Sequence, residues 1–284
     1  MAIENTMESN TKKLNLEKAQ AFFDKKRFEI KKGFEPKGNA IGCIDDRAGR
    51  GEGQVEQIAL PGSGLGILLA TFSALGKIKE EYNLDFTSDF NFKVAEKVEQ
   101  LVGVSLHTDA KNKEHSLSCA GCGHCAGILN SPELLSPEFN AFVQERYLPK
   151  LKEKNVEPVV YEGGHNANGV FIIDDLETGL ASQSRTMDAQ VYVYNKAWHE
   201  KILNEVAEIL HAEFNGMIPR SEGDGVDKQK EEEKIKKFFA DSIYNAAEKQ
   251  LQHTLARLTF GLPKFMVKEG KVTEVTEFKE GETA

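Results

Sequence analysis

The sequence predicts an α/β fold: a central, mainly parallel (mixed) sheet flanked by helices, with an additional helical segment at the C-terminus. Three observations point there. Short runs rich in Val, Ile and Tyr, such as 169–173 and 190–194, read as strands. They alternate with longer stretches whose apolar residues recur at helical spacing. Such alternation marks βαβ units, in which each crossover helix covers a face of a parallel sheet. The chain is also long enough, since 284 residues with 40% hydrophobic content can bury a full core.

Residues 1–14 are polar and read as a flexible leader without the apolar core of a secretory signal. Leu16, Ala19, Phe22, Phe23, Phe28 and Ile30 place a helix over 16–32. Ala40, Ile41 and Ile44 mark a strand over 39–44, and a glycine-rich loop follows at 49–53. An apolar segment, 55–60, leads into the turn Pro61-Gly62-Ser63-Gly64, which opens a strongly apolar helix to about residue 79. These glycines either let helix and sheet pack closely or turn backbone N–H groups toward an anion or polar substrate. Phe92, Ala95, Val98 and Leu101 give a helix over 90–101, and 102–106 reads as a buried strand delivering His107, Thr108 and Asp109.

A short helix is predicted near 123–129, stopped by Asn130-Ser131-Pro132, and a second over 139–152. Strands at 156–161, 169–173 and 190–194 precede a long amphipathic helix at 198–214. Residues 221–227 are a charged, glycine-rich linker to a helix over about 230–258, whose Glu231-Glu232-Glu233 run reads as a solvated face. The stretch 262–275 adds an edge strand. The organisation is therefore a leader to residue 14, an α/β domain over 15–220, and a linker, helix and tail over 221–284 that pack on it.

A net charge of −9 and a pI near 5.4 supply no basic face for nucleic acid or an anionic membrane. No apolar run reaches the ~18 residues of a membrane span. These readings give a cytoplasmic chain with a small-molecule partner and leave homo-oligomerisation open. Three of the four cysteines, Cys119, Cys122 and Cys125, fall within seven residues, which suits metal or redox chemistry better than a disulfide framework.

The chemistry centres on Cys43-Ile44-Asp45-Asp46-Arg47. Strand alternation carries Cys43, Asp45 and Arg47 to one side, at the C-terminal edge where open α/β sheets bind ligands. Taken alone, Cys43 is a small buried hydrophobe, His107 a structural histidine, and Asp45 with Arg47 a loop salt bridge. Taken together with Cys122 between Gly121 and Gly123, two thiolates and one imidazole make a tetrahedral metal site with one position open to water.

These elements resemble the carbonic anhydrases of the cadmium (zeta) type. The resemblance rests on Cys43/Asp45/Arg47, Pro61-Gly62, His107/Asp109 and Gly121-Cys122-Gly123, and extends to Gly163-Gly164-His165 and the strands near 170 and 190. It covers residues 38–215, one repeat unit. The site is related to that of β-class carbonic anhydrases, but His107 and Cys122 lie fifteen apart rather than the three usual there. Asp46 stands where glycine is expected, and the 107–122 loop is longer than the zeta pattern. Cys119, His124 and Cys125 crowd the second thiolate, so Cys119, or His115 in place of His107, stays open as an alternative ligand.

The resemblance implies reversible hydration of CO2 to bicarbonate, with one Zn2+ or Cd2+ per chain held by Cys43, His107 and Cys122. The ion lowers the pKa of its water toward ~7. Asp45 then accepts a hydrogen bond from the hydroxide and Arg47 keeps Asp45 ionised and off the metal. His165 and His115 read as exposed histidines or as proton shuttles. Thiolate softness admits both metals. The same site would also suit hydrolysis of carbonyl sulfide or carbon disulfide. The Cys119/Cys122/Cys125 spacing alternatively matches three ligands of an iron–sulfur cluster, or a closed structural zinc site.

Overall fold

The chain folds into helices and short strands in a computed structural model that describes residues 15–26, 41–43, 58–60, 62–103, 107–109, 136–154, 159–161, 169–174, 190–194, 196–220, 228–258 and 263–275. The leader, the loop at 49–53, the helix predicted near 123–129, the linker at 221–227 and the tail beyond 275 lie outside these residues.

The described strands pair in three groups. Strand β1 (Ile41–Cys43) pairs with β2 (Ile58–Leu60), and β3 (His107–Asp109) with β4 (Val159–Tyr161). A four-stranded sheet has the order β6 (Gln190–Tyr194), β5 (Val170–Asp174), β7 (Lys264–Lys268), β8 (Lys271–Glu274). Every pairing is parallel except β7 with β8. Helices with mainly parallel strands are compatible with the α/β class, but among the described residues helix predominates and the pairing is divided over three sheets rather than running through one central sheet.

The C-terminal stretch departs from expectation. It was expected to add an edge strand, yet β7 lies inside its sheet, in parallel register with β5, and β8 forms the edge. Glu269 and Gly270, at φ 51° and 76°, make the two-residue turn between them, a backbone course that suits the twist of a tight hairpin. Helix α1 (Leu16–Lys26) closes that edge: Gln20 accepts from the Val272 N–H at 2.9 Å and donates to the Gly270 carbonyl at 3.2 Å. Ala19 and Phe23 of α1 are buried with Phe171, Phe265, Val267 and Val272, and Phe22 stacks on Phe171 at 5.5 Å. One small core thus joins the two ends of the chain.

The larger core is helical. Helix α2 (Ser63–Tyr82) is buried almost all round in its first three turns, as a helix apolar on every face must be. It ends where Asn83 turns left-handed (φ 46°, ψ 47°), a conformation asparagine tolerates, while Leu84 N–H caps the Lys79 carbonyl at 3.0 Å. Helix α3 (Ser88–Val102) starts at the Thr87 cap and runs through Val102, which was expected to open a strand. Val102 instead completes the buried face of the helix, and Gly103 stops it at φ 75° and ψ 175°, a conformation open only to glycine.

Residues 137–153 form one helical run with a wider middle: α4 (Pro137–Phe142), a π-helical turn (Val143–Tyr147) and α5 (Leu148–Glu153). Pro149 explains the bulge, since it has no N–H for the Glu145 carbonyl and would clash with it in an α-turn. Leu148 N–H accordingly reaches back five residues to the Val143 carbonyl. The run is tied to α3 by Lys150, whose Nζ lies 3.0 Å from the buried Glu99 carboxylate.

Helix α6 (Lys196–Phe214) and helix α7 (Lys228–Leu258) pack against each other, and α7 also packs along α2. The Tyr244 hydroxyl donates to the Glu200 carbonyl at 3.0 Å, and Arg220 meets Glu232 at 2.8 Å. Phe86, Phe90, Phe214 and Phe239 form a chain of ring contacts 5.0 to 5.9 Å apart through the centre. No helix among the described residues is long and apolar enough to cross a membrane.

His199 sits on the buried side of α6, 3% exposed, and burial lowers its pKa from 6.5 to about 4. The unfolded chain therefore takes up this proton near pH 6.5 and the folded chain only near pH 4. Between those values the unfolded state binds more protons. Stability is full above pH 6.5 and falls as the pH drops, by on the order of 3 kcal/mol across the window. Urea midpoints between pH 7 and 4.5 are expected to fall more steeply for the wild type than for His199→Leu; parallel slopes would contradict this.

Candidate metal site

Cys43 ends β1 in register with Leu60, which ends β2. Both strands point their C-terminal ends toward the same edge. Pro61 follows Leu60, and Gly62 (φ 69°) and Ser63 (φ 57°) then swing the chain through left-handed conformations into α2, which packs on β1 and β2. Cys43 thus lies at the C-terminal end of its strand, as expected, with that strand ending one residue before Ile44.

His107 is placed differently from the expectation. Residues 102–106 were expected to be the strand that delivers it, whereas Val102 is helical and His107 itself opens β3. Its register partner is Val159 of β4, and Asp109, the last residue of β3, is level with Tyr161. Asp45, Arg47, Cys119, Gly121, Cys122, Gly123 and Cys125 lie outside the described residues, as do His115, His124 and His165. Of the expected metal ligands the structure therefore describes the backbone positions of Cys43 and His107. Among the described residues no three His, Cys, Asp or Glu side chains gather as a ligand set.

The start of α2 and the end of α3 meet in a close contact. A Cβ built on Gly64, in the first turn of α2, would lie 3.0 Å from the Gly103 carbonyl oxygen and 3.1 Å from that of Val102. Gly103 is the cap of α3, with its N–H on the Glu99 carbonyl at 2.8 Å, and the chain reaches His107 four residues later. A second clamp holds the next turn of α2. Gln250 of α7 is 2% exposed, and its amide, oriented to satisfy both partners, donates to the Gly66 carbonyl and accepts from the Ala70 N–H at 3.2 Å each.

The glycines were expected to let helix and sheet pack closely, whereas Gly64 meets the end of α3; Gln250 was not anticipated, although each leaves a trace in the sequence. Gly62, Gly64 and Gly66 recur at every second position; at Gly64, inside the helix, a neighbouring backbone comes close, whereas at Gly76 of the same helix nothing does. Gln250 continues the buried stripe Ile243, Ala246, Ala247 at helical spacing, so a polar side chain was predictable on an apolar face.

The expected set, Cys43, His107 and Cys122, would suit a soft divalent ion. Two thiols and an imidazole are ligands that zinc and cadmium share. Comparison with protein-family models, with curated proteins and with solved structures returns no match for this chain.

Proposed function

We propose that this chain is a metal-dependent carbonic anhydrase, similar to the cadmium (zeta) type, which interconverts CO2 and bicarbonate. The observation that carries the reading is the place of Cys43. It closes a parallel strand beside the buried start of α2, with Asp45 and Arg47 within the next four residues of chain. In this reading β1 to β7 belong to one mainly parallel sheet.

Cys43, His107 and Cys122 would hold one ion per chain. When bound, a zinc or cadmium ion supplies Lewis acidity that makes hydroxide available near neutral pH. The Asp45 carboxylate accepts a hydrogen bond from the attacking O–H and so fixes which lone pair faces carbon. Arg47 grips Asp45 through its planar fork, keeping it ionised and turned away from the cationic centre.

Asp45→Asn separates binding from chemistry. The amide is nearly the same size but donates as well as accepts, so it no longer enforces one orientation. Metal content is expected to stay at the wild-type level while kcat for CO2 hydration falls by about 10²–10³-fold. Full activity in this variant would remove Asp45 from the mechanism.

A further inference from the structure

We infer that helix α1 is a displaceable cap on strand β8, and that its release opens this sheet edge to β8 of a second copy of the chain. This holds whether or not the chain binds a metal.

An edge strand presents a row of N–H and C=O groups that another strand can complete. Along β8 these groups alternate in direction. The Val275 N–H, just past the strand, points inward to the Lys264 carbonyl at 2.8 Å, whereas the Val272 N–H points outward and reaches Gln20 at 2.9 Å. Gln20 donates to Gly270 and accepts from Val272, the residues on either side of Lys271. Those are the two bonds that one residue of a parallel neighbouring strand would make. Asp24, one turn further along α1, also accepts from the Gln20 amide nitrogen at 2.9 Å, which fixes the end of the amide that donates. A side-chain amide thus occupies the place of a strand.

The cap is lightly held. Helix α1 has 11 residues, too few to be stable in water by itself, so it is helical because it is docked. Its grip on the sheet comes from Gln20 and from Ala19, Phe22 and Phe23. Release uncovers the outer edge of β8 together with Phe171, Phe265, Val267 and Val272. A second copy carries the same edge and the same apolar face. Two β8 edges related by a twofold axis run antiparallel. Pairing Val272 with the second copy's Val272 joins outward-facing groups on both sides. It also sets Lys271 opposite the second copy's Thr273, and Gly270 opposite its Glu274, so that no like charges face each other.

The test uses the full chain at neutral pH. Gln20→Ala removes both bonds to β8. In dilute solution the Val272 amide is expected to exchange with solvent at least about tenfold faster than in the wild type. On concentration, sedimentation is expected to show the variant passing from one chain to two, with self-association at least about tenfold tighter than in the wild type. Adding Thr273→Lys places a lysine opposite Lys271 at both ends of that pairing. It is expected to return the mass to that of one chain while Val272 exchange stays fast. Should Gln20→Ala not fold by circular dichroism, Gln20→Glu decides with the same readouts. Its carboxylate has no donor for the Gly270 carbonyl and faces Asp24. Unchanged Val272 exchange, in whichever variant folds, would show that Gln20 does not cap the edge and would overturn the inference. Fast exchange with a wild-type mass at every concentration, or association that persists after Thr273→Lys, would overturn it as well.

Discussion

Cys43→Ser is expected to abolish stoichiometric metal binding and to lower CO2 hydration by at least about 10³-fold, to near the rate of metal-stripped protein. Serine keeps the size of the side chain and its place at the end of β1, so the register with β2 is not at stake. What it loses is the thiolate. A hydroxyl ionises far too weakly at neutral pH to replace it, and a soft ion prefers sulfur. Metal content by elemental analysis and hydration by stopped flow check the two halves separately. The same substitution at Cys119, Cys122 and Cys125 then identifies the second thiolate. Cys122→Ser is expected to reproduce the Cys43→Ser result, whereas the other two retain metal. Retention of metal and rate in Cys43→Ser would remove the residue on which the site is built.

The second large effect is on stability. Phe239→Ala is expected to lower the free energy of unfolding by about 3–5 kcal/mol, read as a lower denaturant midpoint with unchanged slope. The ring is fully buried on α7, 5.9 Å from Phe214 of α6, which in turn meets Phe86 and Phe90. Removing it opens a cavity where three helices meet, and also forfeits edge and face contacts between rings. For a domain of ordinary stability, ~5–15 kcal/mol, that is a substantial fraction of the whole. A loss below about 1 kcal/mol would mean that α7 contributes little to the core, contrary to its packing along both α2 and α6.

Helices α6 and α7 were legible in the sequence from apolar residues at helical spacing, and strands β5 and β6 from short runs rich in β-branched and aromatic residues. Strand β2 was not. Three residues, Ile58 to Leu60, are too few to show alternation, and only pairing with β1 defines them as a strand. The boundary at Val102 went the other way for a related reason. A β-branched residue beside Gly103 suggests a strand, but burial on the α3 face overrides that preference. The interior position of β7 could not be read locally at all. Which strand lies beside β5 is a matter of long-range order, and nothing in residues 264–268 announces it.

The candidate site was legible as chemistry and less so as architecture. The types and spacing of Cys43, Asp45 and Arg47 carried the resemblance from which their expected roles follow. The packing contacts at the start of α2 involve Gly64, Gly103 and Gln250, which carry no reactive group. Their partners are fixed only once the helices are packed.

Stopped-flow measurement of CO2 hydration by the zinc-loaded and cadmium-loaded chain tests the central claim most directly. Turnover is expected to rise in proportion to bound metal and to level off at one ion per chain. Loaded protein that hydrates CO2 no faster than the metal-stripped chain would contradict it.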